Sequence, residues 1–233
     1  MIDINKLNEN QKSAVQHING PCMVLAGPGS GKTRVITYRI VNMVINNNIN
    51  PKSILAISFT KASSTEMKNR AISLSHDNRL NSVTYGTFHS VFFRILRFFE
   101  KYELDCILDE KSKKYAIKGI LKNLNVENAE DDDFIMSVIN EISYVKNELM
   151  DKLDFESETL TKDEFIKVYN MYEDYKAQMK KIDFDDMLIK TYNLLSTNKR
   201  VLDRVRSVYR YILVDEFQDI NKVQFEVIKL IAS

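Results

Sequence analysis

Ala26-Gly27-Pro28-Gly29-Ser30-Gly31-Lys32-Thr33 is the stretch on which the reading of this chain turns. The apolar run Cys22-Met23-Val24-Leu25 precedes it, and an amphipathic stretch from Arg34 to Ile45 follows. That pattern predicts a buried strand, a turn of small residues and a helix. Glycines let the backbone curl until successive N–H groups point inward, and a helix N-terminus adds partial positive charge, so the turn suits phosphate. Lys32 then reaches β- and γ-phosphates and the Thr33 hydroxyl ligates Mg²⁺, which makes ATP and Mg²⁺ the expected cofactors. The usual pattern begins with glycine; here Ala26 takes that place, with Gly27 beside it. The competing reading, a glycine-rich turn without chemistry, is disfavoured by the strand pattern before it and the helix pattern after it.

Composition sets the outer bounds. With 233 residues and 44% hydrophobic content, the chain can bury one large core or two modest ones. Its apolar runs are only a few residues long, and its first residues do not resemble a signal peptide. The expectation is a cytoplasmic protein without a membrane segment, whose Cys22 and Cys106 are free thiols. Net charge is +1, but it is unevenly spread: residues 1–104 hold 13 Lys and Arg against 6 acids, and residues 105–180 hold 11 against 18. A basic first segment is compatible with a polyanionic partner, although nucleotide phosphates alone account for part of it.

Before the phosphate turn, Asn8 reads as a helix N-cap with Gln11 in the first turn. A glutamine amide offers a donor and an acceptor together, the pair presented by the edge of adenine. Gln11 is therefore either a capping residue or an adenine reader. Beyond the turn, Ile54 to Phe59 and Val83 to Tyr85 read as short strands, each followed by a helix pattern. Strand, helix, strand, helix with short connections predicts an α/β fold, a parallel sheet flanked by helices. Ligands collect at the carboxyl ends of such strands, where Phe59, Thr60, Thr87, Phe88 and His89 fall.

From about Leu104 the strand patterns cease, and helical periodicity runs through Lys113–Leu124, Phe134–Leu149 and Lys162–Met179. Residues 104–181 are expected to be an inserted all-helical subdomain between two parts of the core, 1–103 and 182–233. The acidic run Glu127 to Asp133 reads as a solvated loop that caps the next helix. Asp183, Asp185 and Asp186 are explained by capping and the helix dipole, with a two-carboxylate catalytic role possible but unnecessary.

A second chemical stretch closes the reading: Tyr211-Ile212-Leu213-Val214-Asp215-Glu216-Phe217-Gln218-Asp219. An apolar strand ending in adjacent acids puts two carboxylates at the sheet's ligand edge. Asp215 is expected to hold Mg²⁺ opposite Thr33, and Glu216 to orient or deprotonate the attacking water. Gln218 and Asp219 either belong to the site or cap the last helix.

Taken together, Leu7-Asn8 with Gln11, Ala26 to Arg34, Phe59-Thr60 with Glu66-Met67, Gly86 to Ser90, Asp183 to Asp186, and Asp215 to Asp219 with Asn221 and Gln224 resemble the UvrD/Rep/PcrA family of superfamily-one DNA helicases. The resemblance runs from Leu7 to the last residue and implies a RecA-like P-loop NTPase core that drives translocation on single-stranded DNA and separation of duplex. It implies that Gln11 reads adenine, that Arg34 joins the nucleotide pocket, that Lys32, Asp215 and Glu216 are catalytic, and that Phe59, Thr60, Thr87, Phe88 and His89 line a DNA channel. Aromatic faces stack on bases of any sequence, and hydroxyls hold phosphates, so these residue types suit that place. Where the family reads Asn-Lys-Ala-Ala after Phe-Thr, this chain has Lys61-Ala62-Ser63-Ser64, which leaves Lys61 without a role carried over. The family continues into a second motor domain that supplies arginines to the γ-phosphate; without it the chain is expected to bind Mg·ATP, hydrolyse it feebly and not unwind DNA alone. The alternatives are the matching portion of a helicase-nuclease subunit and a module that binds ATP or single-stranded DNA without turnover.

Overall fold

A computed structural model describes residues 4–27 and 29–233. In chain order its regular elements are α1 (Glu9–Gln16), α2 (Lys32–Val41), β1 (Ile54–Ile57), α3 (Lys61–Ser75), β2 (Thr84–Gly86), α4 (Phe88–Glu100), α5 (Glu110–Asn123), α6 (Asp132–Asn147), α7 (Lys162–Gln178), α8 (Phe184–Thr197), α9 (Lys199–Val208), β3 (Tyr211–Val214) and α10 (Lys222–Ala232). They divide into two compact units. One comprises Met1–Ser90, Lys199–Ile220 and Ile231–Ser233, the other Val91–Asn198 and Asn221–Leu230. Among the described residues, no helix is long and apolar enough to cross a membrane.

The first unit is built on a parallel sheet in the order β2-β1-β3. All four residues of β1 are buried, as expected of a strand covered on both faces. On one face Ile54, Ala56 and Leu213 pack with Val41 and Val44 at the end of the α2 segment and with Met67 and Ala71 of α3. Register places the ligand edge. Ile57 stands opposite both Gly86 and Val214, so Ser58, Thr87 and Asp215 each lie one residue past a strand end, in one row. Two backbone bonds extend the ladder there, from Ser58 N to the Gly86 carbonyl at 3.0 Å and from Asp215 N to the Ile57 carbonyl at 2.9 Å.

One expectation is corrected. Cys22–Leu25 form no strand, and Met23, Val24 and Leu25 are 75%, 45% and 88% exposed. Four apolar residues become a buried strand only where a neighbouring strand bonds to them, and among the described residues Cys22–Leu25 pair with neither outer strand of the β2-β1-β3 sheet. The parallel α/β architecture stands without that strand. β1 also ends at Ile57, two residues before its predicted limit: Ser58 is buried, Phe59 is exposed, and Thr60 serves as the N-cap of α3.

The second unit is helical. Its apolar core joins α5, α6 and α7 through Ile117, Leu121, Ile135, Val138, Ile142, Phe165 and Val168. Asp131, last of the acidic loop before α6, accepts hydrogen bonds from Asp133 N and Phe134 N. Asp183 caps α8 in a reciprocal box with Asp186, as capping logic requires. Capping is not their whole role, however. Lys113, Lys146 and Lys176 are all buried against this turn. Lys113 Nζ lies 2.8 Å from Asp185, Lys146 Nζ 2.8 Å from Asp186 and 2.7 Å from Glu173, and Lys176 Nζ 2.9 Å from Glu173. The buried Tyr172 hydroxyl donates to Asp183 at 2.9 Å. Burial pushes the Asp183 carboxyl up, but the ammonium groups of Lys146, Lys176 and Lys113 outweigh it and hold that carboxyl far below the usual range. Lys146 is the mirror case: burial lowers it, and the surrounding carboxylates carry it well above an ordinary lysine.

Candidate nucleotide site

The phosphate turn folds as its glycines demand. Gly29 has φ +71 and Gly31 φ +90, conformations that residues with a β-carbon rarely adopt. Gly31 is the N-cap of α2, so the helix begins at Lys32 and presents its free N–H groups beside the loop. Ser30 closes the turn: its backbone N–H and its hydroxyl both donate to the Gly27 carbonyl, at 3.3 Å and 2.6 Å. Ala26 and Gly27 lead into the turn, and Pro28 lies outside the described residues.

Gly31→Ala should therefore be costly. A β-carbon there stands 3.4 Å from Gln11 Nε2, in a left-handed backbone. The expected loss is about 1–2 kcal/mol, read as a lower melting temperature that added ADP recovers less fully than in the parent chain.

The two chemical stretches of sequence meet in the first unit. Lys32 Nζ pairs with Glu216 Oε2 at 3.0 Å, and the Thr33 hydroxyl donates to Asp215 Oδ2 at 3.3 Å. Asp215 is buried at the end of β3, and its carboxyl is raised first by that burial and then by the adjacent Glu216 charge. The Glu216 carboxyl is lowered, by hydrogen bonds from Gln218 and then Lys32. The Thr33 hydroxyl and the Asp215 carboxylate are hard oxygens of the kind Mg²⁺ takes beside phosphates and water, so this donor pair fits that ion. A bound cation would also offset the burial that raises Asp215.

Gln11 is engaged at both ends. Its Oε1 accepts from Asn8 N at 3.2 Å, completing the capping box of α1, and its Nε2 donates to the Ser30 carbonyl at 3.1 Å. Arg34 donates to the Lys6 carbonyl at 2.9 Å and stands over the Tyr38 ring at 5.5 Å, tying the segment before α1 to α2.

The residues assigned to a DNA channel lie at or just beyond the ends of β1 and β2. Phe59 is 45% exposed, and its ring meets Phe88 edge-on at 6.4 Å; Phe88 itself is buried. Thr60 caps α3 by accepting from Ser63 N at 3.0 Å. Thr87 Oγ1 accepts from Ser90 N at 3.2 Å, with His89 between them in the first turn of α4. An open cleft of about 660 Å³ runs along α3, lined by residues that include Lys61, Thr65, Asn69 and Arg70.

What sequence reasoning missed is the charged turn of the helical unit. Its signal was present: Lys113, Lys146 and Lys176 fall within the apolar stripes of their helices, near Ile117, Ile142 and Tyr172. A lysine inside an apolar stripe calls for a buried acid, and three aspartates stood close together in Asp183–Asp186.

Known proteins are similar to this chain over nearly its whole length. The family model described as UvrD/REP helicase N-terminal domain matches residues 7–233. A probable DNA helicase II homolog of Mycoplasma capricolum is 37% identical, over 98% of this chain and 32% of its own length. The ATP-dependent DNA helicase PcrA of Staphylococcus aureus is 36% identical over 99% of this chain and 32% of its length. The ATP-dependent DNA helicase Rep of Buchnera aphidicola is 34% identical over 97% of this chain and 34% of its length. The chain thus spans about a third of the length of the curated relatives it matches.

Proposed function

From the premise that the chain belongs to the family of UvrD/REP helicase N-terminal domains, we propose that it is the Mg·ATP-binding portion of a cytoplasmic DNA helicase that moves on single-stranded DNA and opens duplex. One observation carries the reading: Lys32 and Thr33 of the phosphate turn face Glu216 and Asp215 at the end of β3.

In this reading the backbone N–H groups of Gly29, Gly31, Lys32 and Thr33 cradle the phosphates, and Lys32 neutralises the β- and γ-phosphates as charge shifts during transfer. Thr33 and Asp215 would hold Mg²⁺, which would supply positive charge against the phosphates there. Glu216 orients the attacking water and accepts its proton. Gln11 reads adenine by exchanging its bonds to Asn8 and Ser30 for the donor and acceptor of the base. Arg34 shapes the pocket by holding the segment before α1. Phe59, Thr60, Thr87, Phe88 and His89 form the DNA edge of the sheet, Phe59 by stacking and the hydroxyls by phosphate contact, while Phe88 backs Phe59 from beneath. Residues 104–181 are the inserted part of the helical unit that comprises Val91–Asn198 and Asn221–Leu230. A second motor domain supplies the arginines that complete the phosphate site, whose loss from such sites costs on the order of 10³–10⁵ in rate.

The test is steady-state ATP hydrolysis by this chain with and without single-stranded DNA, using Lys32→Ala as the blank. The expected result is turnover at or barely above the blank, raised when the second motor domain is added back. Robust unwinding of duplex by this polypeptide alone would refute the assignment.

A further inference from the structure

We propose that Gln218 is a positioning residue of the nucleotide site: it holds the Glu216 carboxylate where that carboxylate engages Lys32, so that a nucleotide's phosphates compete with Glu216 for the lysine. The proposal rests on the reading of this turn as a nucleotide site and names the carboxylate with which the phosphates compete.

A single oxygen bears both contacts. Gln218 Nε2 donates to Glu216 Oε2 at 2.6 Å, and the same Oε2 meets Lys32 Nζ at 3.0 Å. A second bond, from Gln218 Nε2 to Asp219 Oδ2 at 3.2 Å, fixes the amide. The backbone beneath is unusual, since Glu216 has φ 51 and ψ 46, the left-handed region. A residue with a β-carbon stays there only where its surroundings hold it. Here the holding contacts are Asp219 N to the Glu216 carbonyl at 2.9 Å, Glu216 N to Asp215 Oδ1 at 3.2 Å, and the side-chain bonds of Lys32 and Gln218.

The consequence is competitive. The Lys32 ammonium cannot serve Glu216 and a phosphate at full strength together, so nucleotide binding must first outbid the carboxylate. Both partners are partly exposed, 29% for Lys32 and 37% for Glu216, so the pair is a light latch that a polyphosphate displaces readily. Replacing Glu216 also removes a negative charge near the phosphates. Gln218 is neutral, so a change at 218 tests the latch with that repulsion left intact.

The experiment uses the full chain as wild type, Gln218→Ala, Glu216→Gln and Lys32→Ala, each first shown to melt cooperatively. Two quantities are read: the rate of Lys32 acetylation by an N-hydroxysuccinimide ester, relative to the exposed Lys61, and the affinity for a fluorescent ADP derivative without metal, which avoids turnover. A released lysine reacts faster. Lys32 is expected to acetylate severalfold faster in both Gln218→Ala and Glu216→Gln, and ADP to bind about two- to fivefold tighter, the range that an exposed ion pair is worth. Wild-type Lys32 reactivity in Gln218→Ala would overturn the positioning role. Tighter ADP binding in Glu216→Gln alone would also overturn it, because repulsion would then suffice. ADP binding by none of the proteins would instead refute the nucleotide reading, and Lys32 reactivity would still decide the latch.

Discussion

Lys32→Ala is expected to weaken Mg·ATP binding by about ten- to a hundredfold, read by equilibrium titration with a non-hydrolysable analogue. Two effects combine. A charge-assisted hydrogen bond to phosphate contributes roughly 1.5–3 kcal/mol, and the alanine removes it. The substitution also leaves Glu216 facing the phosphates without the cation that stands 3.0 Å from it, so repulsion adds to the loss. Lys32→Arg should recover only part of it, because a planar fork does not reproduce a compact ammonium in so tight a turn. Unchanged affinity in Lys32→Ala would remove this turn from the nucleotide site.

The second large effect lies in the helical unit. Lys146→Met removes a buried ammonium that pairs with Asp186 at 2.8 Å and Glu173 at 2.7 Å, leaving those carboxylates buried with less compensation. Breaking a buried pair from one side costs about 3–5 kcal/mol, which for a chain of this size lowers the melting temperature by about 6–20 °C. Lys118→Met, on the surface pair with Glu130, is the control and should leave the transition where it was. A small shift for Lys146→Met would mean that water reaches the cluster.

The same cluster sets a pH dependence with a definite sign. The folded Asp183 carboxyl lies below its unfolded value, so it stabilises the fold above the unfolded pKa of about 3.9 and loses that contribution as pH falls further. The folded Lys146 ammonium lies above its unfolded value, so its contribution is complete below about pH 10.4 and is lost as pH rises toward the folded pKa. Stability from this pair of groups is thus flat between those limits. Circular dichroism melts across pH should show acid loss setting in below about pH 4.

Much of this was legible in sequence where the cause is local. Gly29 and Gly31 announce a left-handed turn, Asn8 and Asp183 announce helix starts, and Val214 followed by Asp215 announces a strand that delivers an acid. Local logic failed where the answer depended on a distant partner. Cys22–Leu25 has the composition of a buried strand, yet burial needs pairing with a strand distant in sequence, and no property of four residues reports whether that pairing forms. Lys113, Lys146 and Lys176 look solvated as types, and only their place on apolar stripes betrays the acids that meet them. By sequence Gln11 suits either a cap or an adenine reader; its amide caps α1 and also reaches the phosphate turn, a contact that spans 19 residues of chain and has no local signature.

The ladder between β1 and β3 has one more consequence. Asp215 N is bound to the Ile57 carbonyl, which carries the ladder one residue past β3, and at Glu216 the backbone turns into the left-handed region, so the two adjacent acids leave the strand end in different directions. The first carboxylate is buried and the second reaches solvent and Lys32. Two acids adjacent in sequence are thus told apart by one peptide hydrogen bond and one left-handed residue, with no difference in composition between them.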